Sequence, residues 1–216
     1  MTDKKVKSKT PETLRGMKDI LPDEQTYWEY FRRKAAEIAE AYSFGRIDVP
    51  ILEEERLFAR TLGKATDVVE MEMYVFEDKG GDKVALRPEA TASVVRAYIN
   101  HGMLNLPQPV KLWYLGPMFR YDRPQSGRYR QFHQYGLEVL GGGDAVVDAQ
   151  LILIAYKLFK QVGLKVKVEI NSIGAPETRK EYMVELVAFA RKRKKELCED
   201  CLRRMAKNPL RLLREL

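Results

Sequence analysis

At 216 residues and a formal charge of +7, the chain is long enough for one substantial core and basic enough to favour a polyanionic partner. Apolar residues make up 45% and charged residues 32%, an ordinary globular balance, and no apolar run approaches the ~20 residues that span a bilayer. The opening M-T-D-K-K-V-K-S-K-T lacks the apolar core of a secretory signal, so the expectation is a cytoplasmic protein with no membrane partner.

Lys4, Lys5, Lys7 and Lys9 make residues 1–10 a basic, flexible tail. Leu21-Pro22-Asp23 then starts a helix, with Pro and acids in its first turn. Tyr27, Phe31, Ala35, Ile38 and Tyr42 recur at spacings of three and four, and Gly45 stops the pattern. Residues 46–49 read as a short strand that Pro50 marks as an edge. A core helix packed on an edge strand is the plain meaning of this unit.

Residues 53–62 read as helical, with Gly63 as the stop. Residues 73–76 and 83–86 bracket D-K-G-G-D, a hairpin signal. In Leu86-Arg87-Pro88-Glu89-Ala90-Thr91, Pro88 and Glu89 suit the first turn of a helix that carries Val94, Val95, Tyr98 and Ile99 on one side.

Residues 111–140 hold two apolar and aromatic runs around a polar loop at 122–129, longer than a tight hairpin needs. That predicts strand, loop and returning strand. The two-residue period puts Phe132, Gln134, Gly136 and Glu138 on one face, and Met118, Arg120 and Asp122 on one face of the outgoing run. Spacing alone describes a half-solvated antiparallel sheet with its polar face outward. Gly136 leaves a gap through which something can approach the backbone, and Arg123, Arg128 and Arg130 surround the loop with groups suited to phosphate. Together these point to a phosphate-and-carboxylate site on a sheet face.

Residues 141–143 form a glycine turn with no phosphate role, and Asp144 caps a helix with the stripe Val147, Leu151, Ile154, Leu158 and Val162. Gly163 ends it. Leu164, Val166, Val168 and Ile170 alternate with polar residues, which predicts a half-buried strand. Two charged helices follow, broken at Asn208-Pro209, and the cationic run at 191–195 reads as a solvated helix face. Cys198 and Cys201 form a single C-x-x-C, half of a tetrahedral zinc site with no second pair. Two structural helical cysteines are the plain reading, a zinc site completed from outside the sequence is the other, and no metal is assigned to the protein.

Phe119-Arg120-Tyr121-Asp122, followed by Arg128-x-x-x-Phe132, resembles motif two of the class II aminoacyl-tRNA synthetases. The longer G-P-M-F-R-Y-D-R-P, with G-R-Y-R-Q-F-H-Q-Y-G-L-E, resembles the histidyl-tRNA synthetase family in particular. The family has Glu where this chain has Asp122, which keeps the charge and shortens the reach. The long helix with F-G-R-I-D-V-P-I-L resembles motif one, and L-R-P-E-A-T resembles the segment that grips the amino acid's ammonium group. The resemblance implies an α/β fold of the α+β type, a class II synthetase-like antiparallel sheet flanked by helices and incomplete here. Residues 11–173 would be catalytic core and residues 174–216 the start of a helical insertion domain.

It further implies a homodimer joined through motif one, with ATP, Mg²⁺, L-histidine and histidine tRNA as cofactors and partners. Arg120 is implied as the catalytic residue on the α-phosphate, with Asp122, Arg128 and Phe132 also binding ATP. Glu89, Thr91, Gln134 and Glu138 are implied to bind histidine, and Arg123 and Gln125 to meet the tRNA acceptor end. The implied reaction is activation of histidine to histidyl-adenylate and its transfer to tRNA. The resemblance runs over residues 12–213 and covers about the first half of a family member, without motif three, the R-G-L-D-Y-Y segment or the anticodon-binding domain. The rivals are a non-catalytic histidyl-synthetase-like regulatory subunit of ATP phosphoribosyltransferase, and a fragment that dimerises or docks tRNA without chemistry.

Overall fold

The computed structural model describes residues 10–61, 73–171, 174–207 and 209–214. The run at 111–140 becomes two ten-residue antiparallel strands, β5 (Val110–Phe119) and β6 (Gln131–Leu140). Ahead of them come α1 (Pro22–Ala41), β1 (Gly45–Arg46), β2 (Leu52–Glu54), α2 (Glu55–Thr61), β3 (Val75–Glu77), β4 (Lys83–Leu86) and α3 (Thr91–Asn100). After them come α4 (Ala145–Gln161), α5 (Pro176–Lys192) and α6 (Glu199–Lys207). Among the described residues the strands form two small sheets, β1-β5-β6 and β2-β4-β3. The first contains a parallel edge, because β1 runs with β5 rather than against it.

Alternation along β5 and β6 sorts the core into two layers. Trp113, Leu115, Tyr135, Leu137 and Val139 point toward α1 and α4, where they meet Ala35, Ile38, Ala39, Ile154 and Leu158. Leu112, Tyr114, Met118 and Phe132 point the other way, onto Ala90, Val94 and Ala97 at and along α3. Each fully buried aliphatic such as Ile154 contributes about 1.5–3 kcal/mol of transfer free energy. The polar face of β6 is therefore not turned to open water. Every residue of β6 is half-buried, with α3 over one face and α1 and α4 over the other.

Most predicted elements form where expected. Asp144 caps α4 by accepting the Val146 N–H, and Gly163 follows that helix with φ +84°. The strand read at 46–49 is shorter, β1 at Gly45–Arg46, and four further expectations about the elements change. Glu53 belongs to β2, so the helix begins at Glu55; Leu62 and Gly63, the predicted end and stop, lie outside the described residues. The buried stripe of α3 is Val94, Ala97 and Tyr98, while Ile99 is exposed. In α1, Tyr27 is 78% exposed and only the later part of its stripe reaches the core.

The fourth change is the predicted strand at 164–170, which has no regular structure. Its apolar side chains Leu164, Val166, Val168 and Ile170 are all exposed. Alternation licenses a strand only where a neighbour completes the ladder, and no strand among the described residues pairs with it.

Contacts divide the chain into two compact units, Met1–Val166 and Lys167–Leu216. The second holds α5 and α6 around a small core of Ala190, Cys201 and Leu212, with Leu197 and Met205 beside it. Among the described residues no helix is long and apolar enough to cross a membrane.

Candidate active site

Strand register brings the predicted face of β6 against the polar start of α3. Leu112 pairs with Glu138, Tyr114 with Gly136, Gly116 with Gln134 and Met118 with Phe132. Thr91, the first residue of α3, donates its hydroxyl to Glu138 Oε1 at 2.7 Å. Glu89 does not lie in the first turn, as the sequence suggested, but before it. Its carboxylate accepts the backbone N–H groups of Thr91 and Ala92, so it caps the helix that Ala90 leaves without a side-chain cap. An anion fits there because the helix N-terminus carries partial positive charge.

Gln134, Glu138 and Thr91 are thus brought together, with Glu89 at the adjoining cap. Gln134 Oε1 is buried and has no hydrogen-bond partner among the described residues. An unsatisfied buried carbonyl costs about 1–3 kcal/mol, so its presence beside two carboxylates calls for a donor from outside. Burial pushes the Glu138 carboxyl up from its ordinary value, and the nearby Glu89 adds to the rise, while the bonds from Thr91 and Tyr114 oppose it. A bound cation or N–H donor would relieve both effects.

Two residues that motif reading passed over build this face. Gly136, read as an opening for a ligand, is instead filled by Tyr114. A Cβ at Gly136 would lie inside van der Waals contact with the Tyr114 ring and hydroxyl. The Tyr114 hydroxyl stands 3.5 Å from both Glu138 Oε1 and Gln134 Nε2, and burial together with the Glu138 charge pushes it up to about 12. It therefore stays neutral across the physiological range. The sequence signal for it was the register itself, since a glycine in one strand makes room for the ring opposite.

Arg87 is the second, only 6% exposed. It donates to the carbonyls of Val49 and Pro50 through Nη1 and to Pro117 through Nε, tying the edge segment to β5. Burial pushes its guanidinium down from its ordinary value.

The cationic part of the site begins where β5 ends. Arg120 donates through Nε to the Pro88 carbonyl at 2.8 Å, and its guanidinium stands 5.1 Å from the Phe132 ring centre. Among the described residues its terminal nitrogens have no protein partner. In the loop, Arg128 Nε meets Asp122 Oδ2 at 2.7 Å, and that carboxylate also accepts the Arg123 N–H. Asp122 and Arg128 are therefore paired with each other. Arg130 lies against Tyr121, 3.8 Å from the ring centre, and holds the Asp122 carbonyl. Its backbone N–H donates to the Gly16 carbonyl, so residues near the N-terminus brace the loop. Arg123 and Gln125 are exposed on that loop, apart from the Gln134–Glu138 cluster.

A helix-flanked antiparallel hairpin with a basic loop at one end and a carboxamide–carboxylate face in its middle is the fold of the class II aminoacyl-tRNA synthetases, as the structural neighbours bear out. The family model for histidyl-tRNA synthetase matches residues 16–207. The chain belongs to the histidyl-tRNA synthetase family. It is 50% identical over 200 residues to a histidine–tRNA ligase of Dehalococcoides mccartyi, covering 92% of this chain and 48% of that protein. A histidine–tRNA ligase of Trichlorobacter lovleyi is 49% identical over 201 residues, with 93% and 48% covered. Apo histidyl-tRNA synthetase of S. aureus superposes with a TM-score of 0.72 at 40% identity, covering 94% of this chain and 48% of that one. The chain spans about half the length of these relatives.

Proposed function

We propose that this chain carries the histidine-binding face and one side of the ATP site of a histidine–tRNA ligase, which makes histidyl-adenylate from ATP and L-histidine and passes it to the histidine tRNA in the cytoplasm. The observation that carries the reading is the buried, unpartnered Gln134 carbonyl set between Thr91, Glu138 and the Glu89 cap. Glu89, Thr91 and Gln134 receive the substrate ammonium, and Glu138 accepts the imidazole N–H. Residues 174–216 are the start of an insertion domain within the core begun at 11–173.

Arg120 holds the α-phosphate and offsets the charge that develops as the histidine carboxylate attacks it, which is electrostatic stabilisation rather than proton transfer. Phe132 offers a face for adenine, and such stacking is worth roughly 1–3 kcal/mol. Arg128 leaves Asp122 to reach the outer phosphates, whose counter-ion is Mg²⁺. Arg123 and Gln125 meet the acceptor end of the tRNA. A pocket built to hydrogen-bond the ring can reject analogues lacking the group by about 10⁴-fold.

Calorimetric titration of the complete core with histidine and with leucine tests this assignment. Glu138→Ala is expected to abolish the preference for histidine. A variant that loses both ligands equally, or loses neither, would take Glu138 out of the pocket.

The same reading places a two-fold homodimer on α1. Tyr27, Trp28, Phe31, Leu115, His133 and Tyr135 line an open apolar cavity of about 370 Å³ on that side. Closed two-fold assembly buries one patch of this kind against its own copy. Sedimentation at micromolar concentration should give a dimer that Tyr27→Glu weakens, whereas a wild-type monomer would mean that this face is not the interface or needs more of the polypeptide.

A further inference from the structure

Outside the candidate active site, the second unit carries a pair of thiols whose placement has a chemistry of its own. Cys198 stands immediately before α6 and acts as its N-cap. Its carbonyl accepts the Leu202 N–H at 3.0 Å, and its sulfur accepts the Cys201 N–H at 3.3 Å. A cysteine thus occupies the position where Ser or Asp usually caps, with an amide donor aimed at its sulfur. Cys201 is 4% exposed within the small core formed with Ala190 and Leu212, whereas Cys198 is exposed. The two sulfurs are 3.2 Å apart, and neither is in a disulfide.

Two chemistries could use such a pair. Thiolates that share one tetrahedral zinc, each about 2.3 Å from it, stand roughly 3.7 Å from each other, and such a site needs two further ligands beside the pair. Among the described residues no group of three or more His, Cys, Asp or Glu side chains gathers to hold a metal. Dithiol–disulfide exchange asks for less: one accessible sulfur to attack, and a second within reach to resolve the mixed disulfide. The exposed cap and the buried sulfur one turn later meet both requirements. The plain sequence reading, two structural helical cysteines, did not include this cap geometry.

We propose that Cys198 and Cys201 form a reversible dithiol–disulfide pair that responds to low-molecular-weight disulfides. The Cys198 thiolate attacks one sulfur of the small disulfide, breaking its S–S bond and releasing one thiolate. The Cys201 thiolate then attacks the Cys198 sulfur, breaking the mixed disulfide and releasing the second. The two cysteines lose two electrons and two protons, and the small disulfide gains them as two thiols. The product cross-links the cap of α6 to its first turn.

Full-length chain equilibrated in buffers of varied reduced-to-oxidised glutathione ratio, quenched by alkylation and read by intact mass and peptide mapping, tests the pair. At the oxidising end the expected product is a monomer about 2 Da lighter, with neither cysteine alkylated and the change reversed by reductant. Cys201→Ala should accumulate a glutathione adduct on Cys198, and Cys198→Ala should remain largely unmodified. The wild-type measurement stands even if either variant folds poorly. Both sulfurs fully alkylated at the oxidising end, cross-links only between chains, or a stable wild-type glutathione adduct would each overturn the proposal.

Discussion

Replacing Arg120 by Ala in a polypeptide that carries the whole core is expected to reduce histidine-dependent ATP–pyrophosphate exchange by about 10²–10³-fold, the usual cost of removing one preorganised electrostatic donor. The fold should survive. The Arg120 side chain donates one hydrogen bond, to the Pro88 carbonyl, and is half-buried rather than part of the packed core. Unchanged circular dichroism with lost exchange is the expected pair of results; retained exchange would move the α-phosphate contact elsewhere. The 216-residue chain alone should exchange weakly at most. It offers a cation and a ring from one side of the nucleotide, and a displaced in-line geometry costs orders of magnitude in rate.

Gly136→Ala tests the construction of the histidine face rather than its chemistry. The added methyl would collide with the Tyr114 ring, which is buried in the core layer between the hairpin and α3. Overpacking of this kind costs about 1–3 kcal/mol. Tyr114 must shift, and its hydroxyl then leaves the neighbourhood of Glu138 and Gln134. The expected result is a lower denaturation midpoint together with weaker histidine binding. Tyr114→Phe alone, which keeps the ring beside Gly136 and removes only the hydroxyl, should weaken histidine binding with a smaller loss of stability, separating the hydroxyl's part from that of packing. A Gly136→Ala variant as stable as wild type would show that the two strands can separate at this point without cost.

The hairpin was legible because two signals agreed: alternation set which side chains share a face, and motif spacing marked the loop between the runs. Asp144 and Gly163 were legible for a similar reason, since helix ends are written in one or two residues. Glu89 was read into the first turn of α3 and lies just before its cap, because an acid in a first turn and an acid capping from outside it look alike in sequence. Tyr114 and Arg87 could not be read locally. Tyr114 depends on which residue of another strand lies opposite, and Arg87 on carbonyls 30 and 38 positions away. The stretch at 164–170 failed for the opposite reason, its local pattern being clear and its partner strand absent from the described residues.

That stretch also bears on how the chain behaves in bulk. An extended run with Leu164, Val166, Val168 and Ile170 exposed presents bare backbone and a greasy side together, the combination that templates edge-to-edge pairing between molecules. Between those residues stand Lys165, Lys167 and Glu169, the last two bonded to each other at 2.7 Å. Lysine on an open edge is a recognised guard against aggregation, since stacking copies in register brings like charges together in a dehydrating seam. The polar half of the alternation thus opposes self-association at this segment, and that local protection weakens as salt screens the two ammonium groups.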